Sequence, residues 1–338
     1  MKAFFKGIIF LFLISVALIL FLIFILSDNP AEAVFFFFLG PFRNIFSFGN
    51  MLNSAVPLVF GALGVILAIK TASLNLGGEG QVYIGAFITT ITAVVLNNFG
   101  AFAAFIAAAA GGLSAGSLGA ISGFLKARWK TNELISSFLI SCAVIPVINY
   151  LVTGPFLDPD TSLLSTRKIA ENMRLPLILM PSGLSAGLYL AVAFTIIICF
   201  FLNKTKLGYE FRMAGKNEMF ARYGGINTKL NTVLAMAMSG FMYGLAGSIA
   251  VLGTHYAVIK EFSAGLGWSG LTTALIASFS PLAVIPCAVF LAWINSGARI
   301  AMQNTGLTFE IAYIIQAVLF LLSSSLIIKN IFDKKRKG

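Results

Sequence analysis

Charged residues are scarce in this chain of 338 residues: they make up 10% of it, whereas 59% of its residues are hydrophobic. Soluble domains carry about 25% charged residues, so this composition excludes an ordinary soluble fold. Several apolar runs approach the roughly 20 residues with which a helix crosses about 30 Å of hydrocarbon. Because these runs are continuous and do not alternate, they predict an all-α, polytopic membrane protein and not a transmembrane barrel.

The side chains that enzymes use for catalysis are also scarce. The sequence has one histidine and three cysteines. Cys142, Cys199 and Cys287 lie far apart within apolar segments and without CxxC spacing, which predicts that they are small buried side chains. There is no GxxxxGK[ST] phosphate-binding loop, no HExxH zinc motif and no nucleophile elbow. We therefore predict that the chain is not an enzyme and needs neither a metal nor a cofactor.

About ten transmembrane helices are predicted, with both chain ends on the same side of the membrane. The first run, after Lys2 and Lys6, is longer than the roughly 7–15 apolar residues of a signal peptide, which predicts a retained helix. The segment 267–280 would span only about 21 Å, so we expect it to be re-entrant, tilted or part of a broken helix. The predicted helices are 8–27, 51–69, 79–97, 101–125, 134–153, 184–203, 231–253, 267–280, 281–302 and 309–328.

The distribution of basic residues predicts the orientation. With a cytoplasmic N-terminus, most of the 23 lysines and arginines lie in cytoplasmic segments, as the positive-inside rule requires. Both termini are therefore predicted to be cytoplasmic, and the net charge of +11 is interpreted as a topological signal that implies no nucleic-acid partner. Residues 1–338 then form one transmembrane domain, in which 154–183 is an external loop and 204–230 is a polar cytoplasmic loop. The aromatic segment 33–48 is predicted to lie at the outer membrane surface.

Two glycine-containing stretches, one inside a predicted helix and one between two predicted helices, predict local structure. In helix 101–125, Gly111, Ala115 and Gly119 repeat every four positions, which predicts close packing against another helix. Between helices 51–69 and 79–97 the sequence reads LNLGGEGQ, whose glycines disfavour a helix.

The LNLGGEGQ stretch has two interpretations. An ionisable group within a span and a non-helical backbone both favour a polar translocation pathway. The alternative is a structural turn near the cytoplasmic ends of two helices, with the glutamate favourably placed at a helix start. The pathway candidates are Asn75, Gly77, Gly78, Glu79 and Gln81, with Asn295 as a candidate on a later helix.

The absence of catalytic motifs leaves two classes of transporter. An ion-coupled secondary carrier would use acidic groups within its spans, and the sequence offers few of these, Glu79 and Glu310. A permease driven by ATP would instead present a loop on which a separate motor subunit docks, and 204–230 offers one. A membrane scaffold would leave both the polar stretch and this loop unexplained.

The loop has a specific pattern, T-x-L-G-x-x-x-R-x-x-G-x-N followed by A-R-Y-x-G-I. It resembles the coupling loop of permeases in the branched-chain amino acid/ribose/nucleoside family of ATP-binding-cassette (ABC) importers. One position departs from that pattern, because Met213 stands where the family usually has alanine. The matching residues are Thr205, Gly208, Arg212, Gly215, Asn217, Ala221, Tyr223, Gly225 and Ile226.

Two other stretches agree with this resemblance, which extends from about residue 50 to the end. Lys126-Ala127-Arg128 followed by Asn132-Glu133-Leu134-Ile135-Ser136 resembles the family's K-x-R…N-E-V-I-S element. LNLGGEGQ is similar to the F-N-I-G-x-E-G-Q element of the nucleoside-type branch, whereas the sugar branch has an Asp-Leu-Ser-Val-Gly pattern there.

The resemblance implies an inner-membrane permease subunit, surrounded by membrane lipid, that moves a small-molecule substrate. It implies a nucleoside as the substrate, with riboflavin or a monosaccharide as alternatives. The implied partners are an ABC ATPase subunit, a second permease subunit that is homologous or identical, and an extracytoplasmic substrate-binding protein. The implied ATPase-coupling residues are Gly208, Arg212, Gly215, Asn217, Gly225 and Ile226.

Overall fold

A computed structural model of the protein describes residues 2–306, 308 and 310–335, and helices dominate it. Within these residues, two short strands, β1 (Leu177–Leu179) and β2 (Leu184–Ser185), pair antiparallel. The α-helices are α1 (Lys2–Leu26), α2 (Pro30–Leu39), α3 (Ile45–Ile69), α4 (Gly78–Val95), α5 (Gly100–Trp129), α6 (Glu133–Thr153), α7 (Gly187–Lys204), α8 (Lys206–Lys216), α9 (Glu218–Tyr223), α10 (Thr228–Ala250), α11 (Leu266–Ile276), α12 (Val284–Thr305) and α13 (Glu310–Lys335).

Six helices in the described part of the chain are long and apolar enough to cross a membrane: α3, α5, α6, α7, α10 and α12. This confirms the predicted all-α, multi-pass membrane protein. Each of the predicted segments coincides with a helix, while the number of crossings and the side on which the termini lie stay predictions.

Several predicted boundaries are wrong: α1 begins at Lys2 and not at 8, and α13 ends at Lys335 and not at 328. Two further differences bear on the architecture. Helix α3 begins at Ile45 and not at 51, because the side chain of Asn44 caps it by accepting a hydrogen bond from Ser47 N (2.7 Å). The aromatic segment 33–48 therefore divides between α2, a short 3₁₀ turn and the start of α3. At the other boundary, α11 ends at Ile276 and not at 280, and its length of about 16 Å is too short for this helix to cross the hydrocarbon without the irregular chain that precedes it.

The glycine stripe of α5 packs against α10, as the sequence predicts. A Cβ atom built on Gly119 would lie 2.2 Å from the carbonyl oxygen of Met236, and one on Gly240 would lie 2.4 Å from that of Ala115. The two backbones approach so closely because both helices carry small residues at the contact. Around this pair, α3 and α4 complete a buried centre.

The two ends of the bundle differ in structure. At one end, called the α8 end below, lie α8, α9, the turn between α5 and α6, and the start of α10. At the opposite end, residues 154–186 are hydrogen-bonded to the chain that follows α10, through Thr166 N to Val258 O and Leu175 N to Leu252 O (2.9 Å each). The predicted long loop is thus ordered by backbone pairing, and its external location stays a prediction.

The chain after α10 does not form a regular helix. A π-helical turn at Val251–His255 is followed by irregular backbone, in which Tyr256, Glu261 and Ala264 have positive φ angles. This segment contacts Tyr83 on α4, whose hydroxyl lies 3.2 Å from Glu261 N. It therefore runs back into the bundle, where α11 begins beside α4.

Candidate functional site

The break predicted at LNLGGEGQ is present and lies deep in the bundle. Helix α3 ends at Ile69, residues 73–77 have no regular structure, and α4 begins at Gly78. A Cβ atom on Gly78 would lie 2.7 Å from the ring of Tyr243. Since Tyr243 stands about 22 Å along α10 from the α8 end, the break reaches further into the bundle than the helix ends where the turn interpretation places it.

Two buried amides hold the irregular backbone in place. Asn75 donates through Nδ2 to Oε1 of Gln81 (2.7 Å) and to Oγ of Ser239 (3.1 Å), and Gln81 donates back to Oδ1 of Asn75 (3.2 Å). Both side chains are almost completely buried. In this conformation Asn75 and Gln81 therefore use most of their amide donors and acceptors in hydrogen bonds within the protein.

Two serines on α6 satisfy the backbone donors that the break leaves free. Ser137 Oγ accepts from Leu76 N (3.0 Å), and Ser141 Oγ accepts from Gly80 N (2.7 Å). The serines are four residues apart and so share one face of α6. Unpaired N–H groups at a helix start are costly when they are buried, so these contacts make the break tolerable.

The starts of α4 and α11 meet backbone to backbone. A Cβ atom on Gly267 would lie 2.4 Å from Glu79 N, and one on Gly77 would lie 2.9 Å from the carbonyl oxygen of Ser137. Side chains at these positions would force the segments apart. Glycine is therefore required here by close approach, in addition to its weak helix propensity.

Glu79 caps the start of α11. Its Oε1 accepts a hydrogen bond from Trp268 N (3.1 Å) in the first turn of that helix. A carboxylate is favoured at the positive end of a helix dipole, and Glu79 lies at the start of both α4 and α11.

A small cavity lies beside this carboxylate. Its volume is ≈ 10 Å³, which is room for about one water molecule, so the site is closed in this conformation. Asn295 on α12 is half-buried and does not line the cavity. The lining residues are Asn75, Leu76, Gly78, Glu79, Tyr243, Gly267, Trp268 and Leu271.

Trp268 is a residue of this site that the sequence does not single out. Its side chain is exposed and its ring centroid lies 6.5 Å from that of Phe138 on α6. The only sequence signal was its position directly after Gly267, in a segment predicted to be a broken or re-entrant helix.

The predicted coupling loop consists of two short, capped helices. Thr205 Oγ1 accepts from Gly208 N (3.1 Å) at the start of α8, and Asn217 Oδ1 accepts from Phe220 N (3.0 Å) at the start of α9. The stretch after Asn217 forms the short helix α9, and α8 extends the helical structure to almost the whole loop.

The glycines of this loop serve different purposes. A Cβ atom on Gly208 would lie 2.1 Å from the carbonyl oxygen of Phe201, and one on Gly215 would lie 2.2 Å from that of Lys70. Gly225 has a φ of +79°, in the left-handed region, and Ile226 N donates to Ala221 O (3.0 Å). The absence of a side chain at Gly215 thus lets α8 lie directly against the end of α3.

Charged side chains surround this junction. Arg212 donates through Nη1 to Asn203 Oδ1 (3.4 Å), while its buried Nε has no hydrogen-bond partner among the described residues. Burial, followed by the nearby Arg212 guanidinium, holds the pKa of Lys70 below its usual range. Lys70 Nζ donates to Phe279 O (3.2 Å), just beyond α11.

A cleft of ≈ 800 Å³ opens beside α8 and α9, between them and the α5–α6 turn. It is bounded by parts of the chain that are distant in sequence, including Thr71 and Ala72 at the start of the break. Its charged lining residues are Lys126, Arg128, Lys130, Glu133, Glu218, Arg222 and Lys229.

A membrane-spanning helical bundle with a closed polar break at its centre and short capped helices at one end is an arrangement that fits a membrane transport protein. The chain belongs to the family described as "Branched-chain amino acid transport system / permease component", which matches residues 47–324. It is therefore a permease subunit of an ABC importer and not itself catalytic.

Named relatives support this membership. The chain is 33% identical to "Probable riboflavin import permease protein RfuC" of Treponema pallidum, over 93% of this chain and 83% of the relative. It is 30% identical to "Guanosine ABC transporter permease protein NupP" of Bacillus subtilis, over 88% and 87% of the two chains. It is 28% identical to "Glucose ABC transporter permease protein TsgB13" of Haloferax volcanii, over 93% and 84%.

Proposed function

We propose that this permease carries a nucleoside inward across the inner membrane, driven by ATP hydrolysis on a separate subunit that docks on α8 and α9. The observation that carries the proposal is the contact of Gly215 with Lys70, because it joins the docking helices to the chain that leads to Glu79. Movement of α8 would reach Lys70 through this packing contact, and fewer than ten residues of chain separate Lys70 from Glu79.

The pathway is proposed to run past the break between α3 and α4. Asn75, Gly78 and Glu79 line the small cavity, while Gly77 and Gln81 shape the backbone behind it. A charge at this depth is costly unless protein or water surrounds it, which favours a pathway next to Glu79. Asn295 belongs to the pathway only if α12 moves, since it lies outside the closed cavity.

The remaining partners follow the orientation predicted by the basic residues. Both termini and 204–230 face the cytoplasm, residues 154–183 face outward, and about ten crossings form one permease domain from 1 to 338. A substrate-binding protein delivers the solute to the outer face, and a second permease, identical or homologous, completes the pore. The proposed ATPase-coupling residues are Gly208, Arg212, Gly215, Asn217, Gly225 and Ile226.

Riboflavin is the second candidate substrate, because the relative with 33% identity is named for riboflavin import. The nucleoside is preferred because LNLGGEGQ is similar to the nucleoside-type element and a guanosine permease is 30% identical. A monosaccharide is the third candidate, through the glucose-named relative.

Uptake into proteoliposomes tests substrate and energy source together. The vesicles would hold this chain with its ATPase, second permease and binding protein, and would be offered labelled guanosine, riboflavin and glucose in parallel. We expect guanosine uptake that requires ATP at the ATPase face and survives collapse of ion gradients by ionophores. Riboflavin or glucose uptake alone would change the substrate, and uptake abolished by ionophores would favour the ion-coupled carrier.

A further inference from the structure

Lys126, in the last turn of α5, binds three parts of the protein at once. Its Nζ donates to Oε1 of Glu133 (2.7 Å), to Oγ of Ser73 (3.0 Å) and to the carbonyl oxygen of Ala72 (3.0 Å). A lysine ammonium has three protons to donate, so all of its capacity is used. A lysine placed here only to set membrane orientation would extend into water.

The segment that Lys126 holds is the start of the polar break. Ala72 has a φ of +52°, a left-handed conformation that costs an alanine energy unless its surroundings hold it. On the opposite side, a Cβ atom on Gly215 would lie 3.0 Å from Ala72 N. The segment is therefore clamped between the ammonium of Lys126 and the backbone of α8.

Glu133 also contacts the same segment indirectly, through the hydroxyl group of Ser137. The backbone carbonyl oxygen of Glu133 accepts a hydrogen bond from Ser137 Oγ (2.6 Å). Ser137 Oγ in turn accepts a hydrogen bond from Leu76 N (3.0 Å). The ion pair with Lys126 thus holds the chain at Ala72 and Ser73, and the backbone of Glu133 holds it at Leu76. Glu79 follows three residues later.

The ion pair is sheltered enough to keep its geometry. The side chains of Lys126 and Glu133 are 27% and 14% exposed, in contrast to the neighbouring exposed Arg128. Exposed pairs contribute little because water and salt screen them, whereas a partly buried, hydrogen-bonded pair is screened less. The pair nevertheless borders the cleft beside α8 and α9, where a docked subunit would reach it.

We propose that Lys126 and Glu133 form a positioning pair that transmits movement of the docking helices to the backbone beside Glu79. This inference rests on the proposed function, because it assumes an ATPase docked on α8 and α9. When α8 moves, the segment 70–73 must follow Gly215 while Lys126 anchors it to α5 and α6. The pair touches no substrate; it determines how the movement reaches the pathway.

The test uses the complete transporter in proteoliposomes and measures solute moved per ATP hydrolysed. Lys126→Met keeps the length of the side chain and removes all three contacts, Glu133→Gln removes the charge, and Lys126→Arg keeps charge and donors. Arg128→Met is the matched control, since it removes a neighbouring cation on the same helix turn that makes none of these contacts.

We expect Lys126→Met and Glu133→Gln each to lower solute moved per ATP by about tenfold, the scale expected for losing charge-assisted hydrogen bonds. The KM for ATP, the KM for solute and co-purification of the ATPase should stay at wild-type values. Lys126→Arg should recover most of the coupling, and the double variant should be no worse than the poorer single variant, because the two residues act as one unit.

Three results would overturn the proposal: wild-type coupling in Lys126→Met, an equal loss in Arg128→Met, or additive losses in the double variant. If Lys126→Met fails to insert, Glu133→Gln and Lys126→Arg decide the question by the same ratio. Failure of the proposed function would look different, since the wild-type complex would then show no ATP-driven uptake at all.

Discussion

Glu79 combines two tasks at one residue. Its carboxylate caps α11 through Trp268 N, and the residue lines the small cavity together with Asn75, Leu76 and Gly78. The negative charge interacts with the dipoles of two helix starts. A substitution can remove this charge and leave the shape of the side chain almost unchanged.

Glu79→Gln keeps the shape and removes the charge. We expect the uptake rate to fall by about tenfold, because loss of a charge–dipole interaction and of charged hydrogen bonds is of this order. Membrane insertion and ATPase co-purification serve as controls and should not change. Unchanged uptake in this variant would remove Glu79 from the pathway.

Lys70 is a half-buried cation whose charge the fold disfavours. Burial and the nearby Arg212 lower the pKa of Lys70 in the folded protein, so the unfolded chain binds the proton more tightly. The stability of the folded protein therefore rises as the pH increases towards 10.5, the ordinary pKa of a lysine. Lys70→Met should therefore melt at a temperature equal to or above that of the wild type in detergent at pH 7. The difference between the melting temperatures of the variant and the wild type should narrow as the pH is raised. A melting temperature of Lys70→Met clearly below that of the wild type at pH 7 would show that the Lys70–Phe279 hydrogen bond dominates.

At the scale of elements, the glycine contacts make predictions that differ between neighbouring positions. On α5, a Cβ atom on Gly119 would lie 2.2 Å from a carbonyl oxygen, whereas one on Gly116 would lie 3.1 Å from its nearest atom. Gly119→Ala should lower the stability by about 1–3 kcal/mol through overpacking, and Gly116→Ala by less. Thermal melting in detergent would compare them, and equal melting temperatures would contradict the close contact of α5 with α10.

The same comparison applies to the docking helices. Gly215→Ala would place a methyl group 2.2 Å from the carbonyl oxygen of Lys70, while Gly224→Ala, further along, meets nothing closer than 3.4 Å. We expect Gly215→Ala to insert normally but to lose most substrate-stimulated ATPase activity, because α8 can no longer rest on α3. Gly224→Ala should retain it. Full stimulation in Gly215→Ala would count against the proposed route from α8 to the pathway.

The sequence predicted elements better than contacts. Long apolar runs and small residues were sufficient to place the long helices, the break after α3 and the stripe of Gly111, Ala115 and Gly119, because each signal lies within one segment. They did not predict α2 or α8 as helices. The contacts of Ser137, Trp268 and Lys126 with the break join residues that are far apart in the chain, and no local pattern encodes such a pairing. The start of α3 was missed because the cap by Asn44 competes with an apolar pattern that begins later.

At the scale of the whole molecule, the break and the start of α11 meet around a closed cavity, and residues 70–73 connect the break to the α8 end. The closed state implies that transport requires the starts of α4 and α11 to separate. ATP binding and hydrolysis would supply the energy by shifting the population towards an open state.

Leu76 offers the most direct test of this account, since it lines the closed cavity and follows the clamped segment. A Leu76→Cys variant, with Cys142, Cys199 and Cys287 replaced, would be labelled by a water-soluble thiol reagent in the complete transporter. We predict slow labelling without nucleotide and several-fold faster labelling during ATP turnover with substrate. Equal rates in every state of a complex that still transports would contradict a pathway opened at this break.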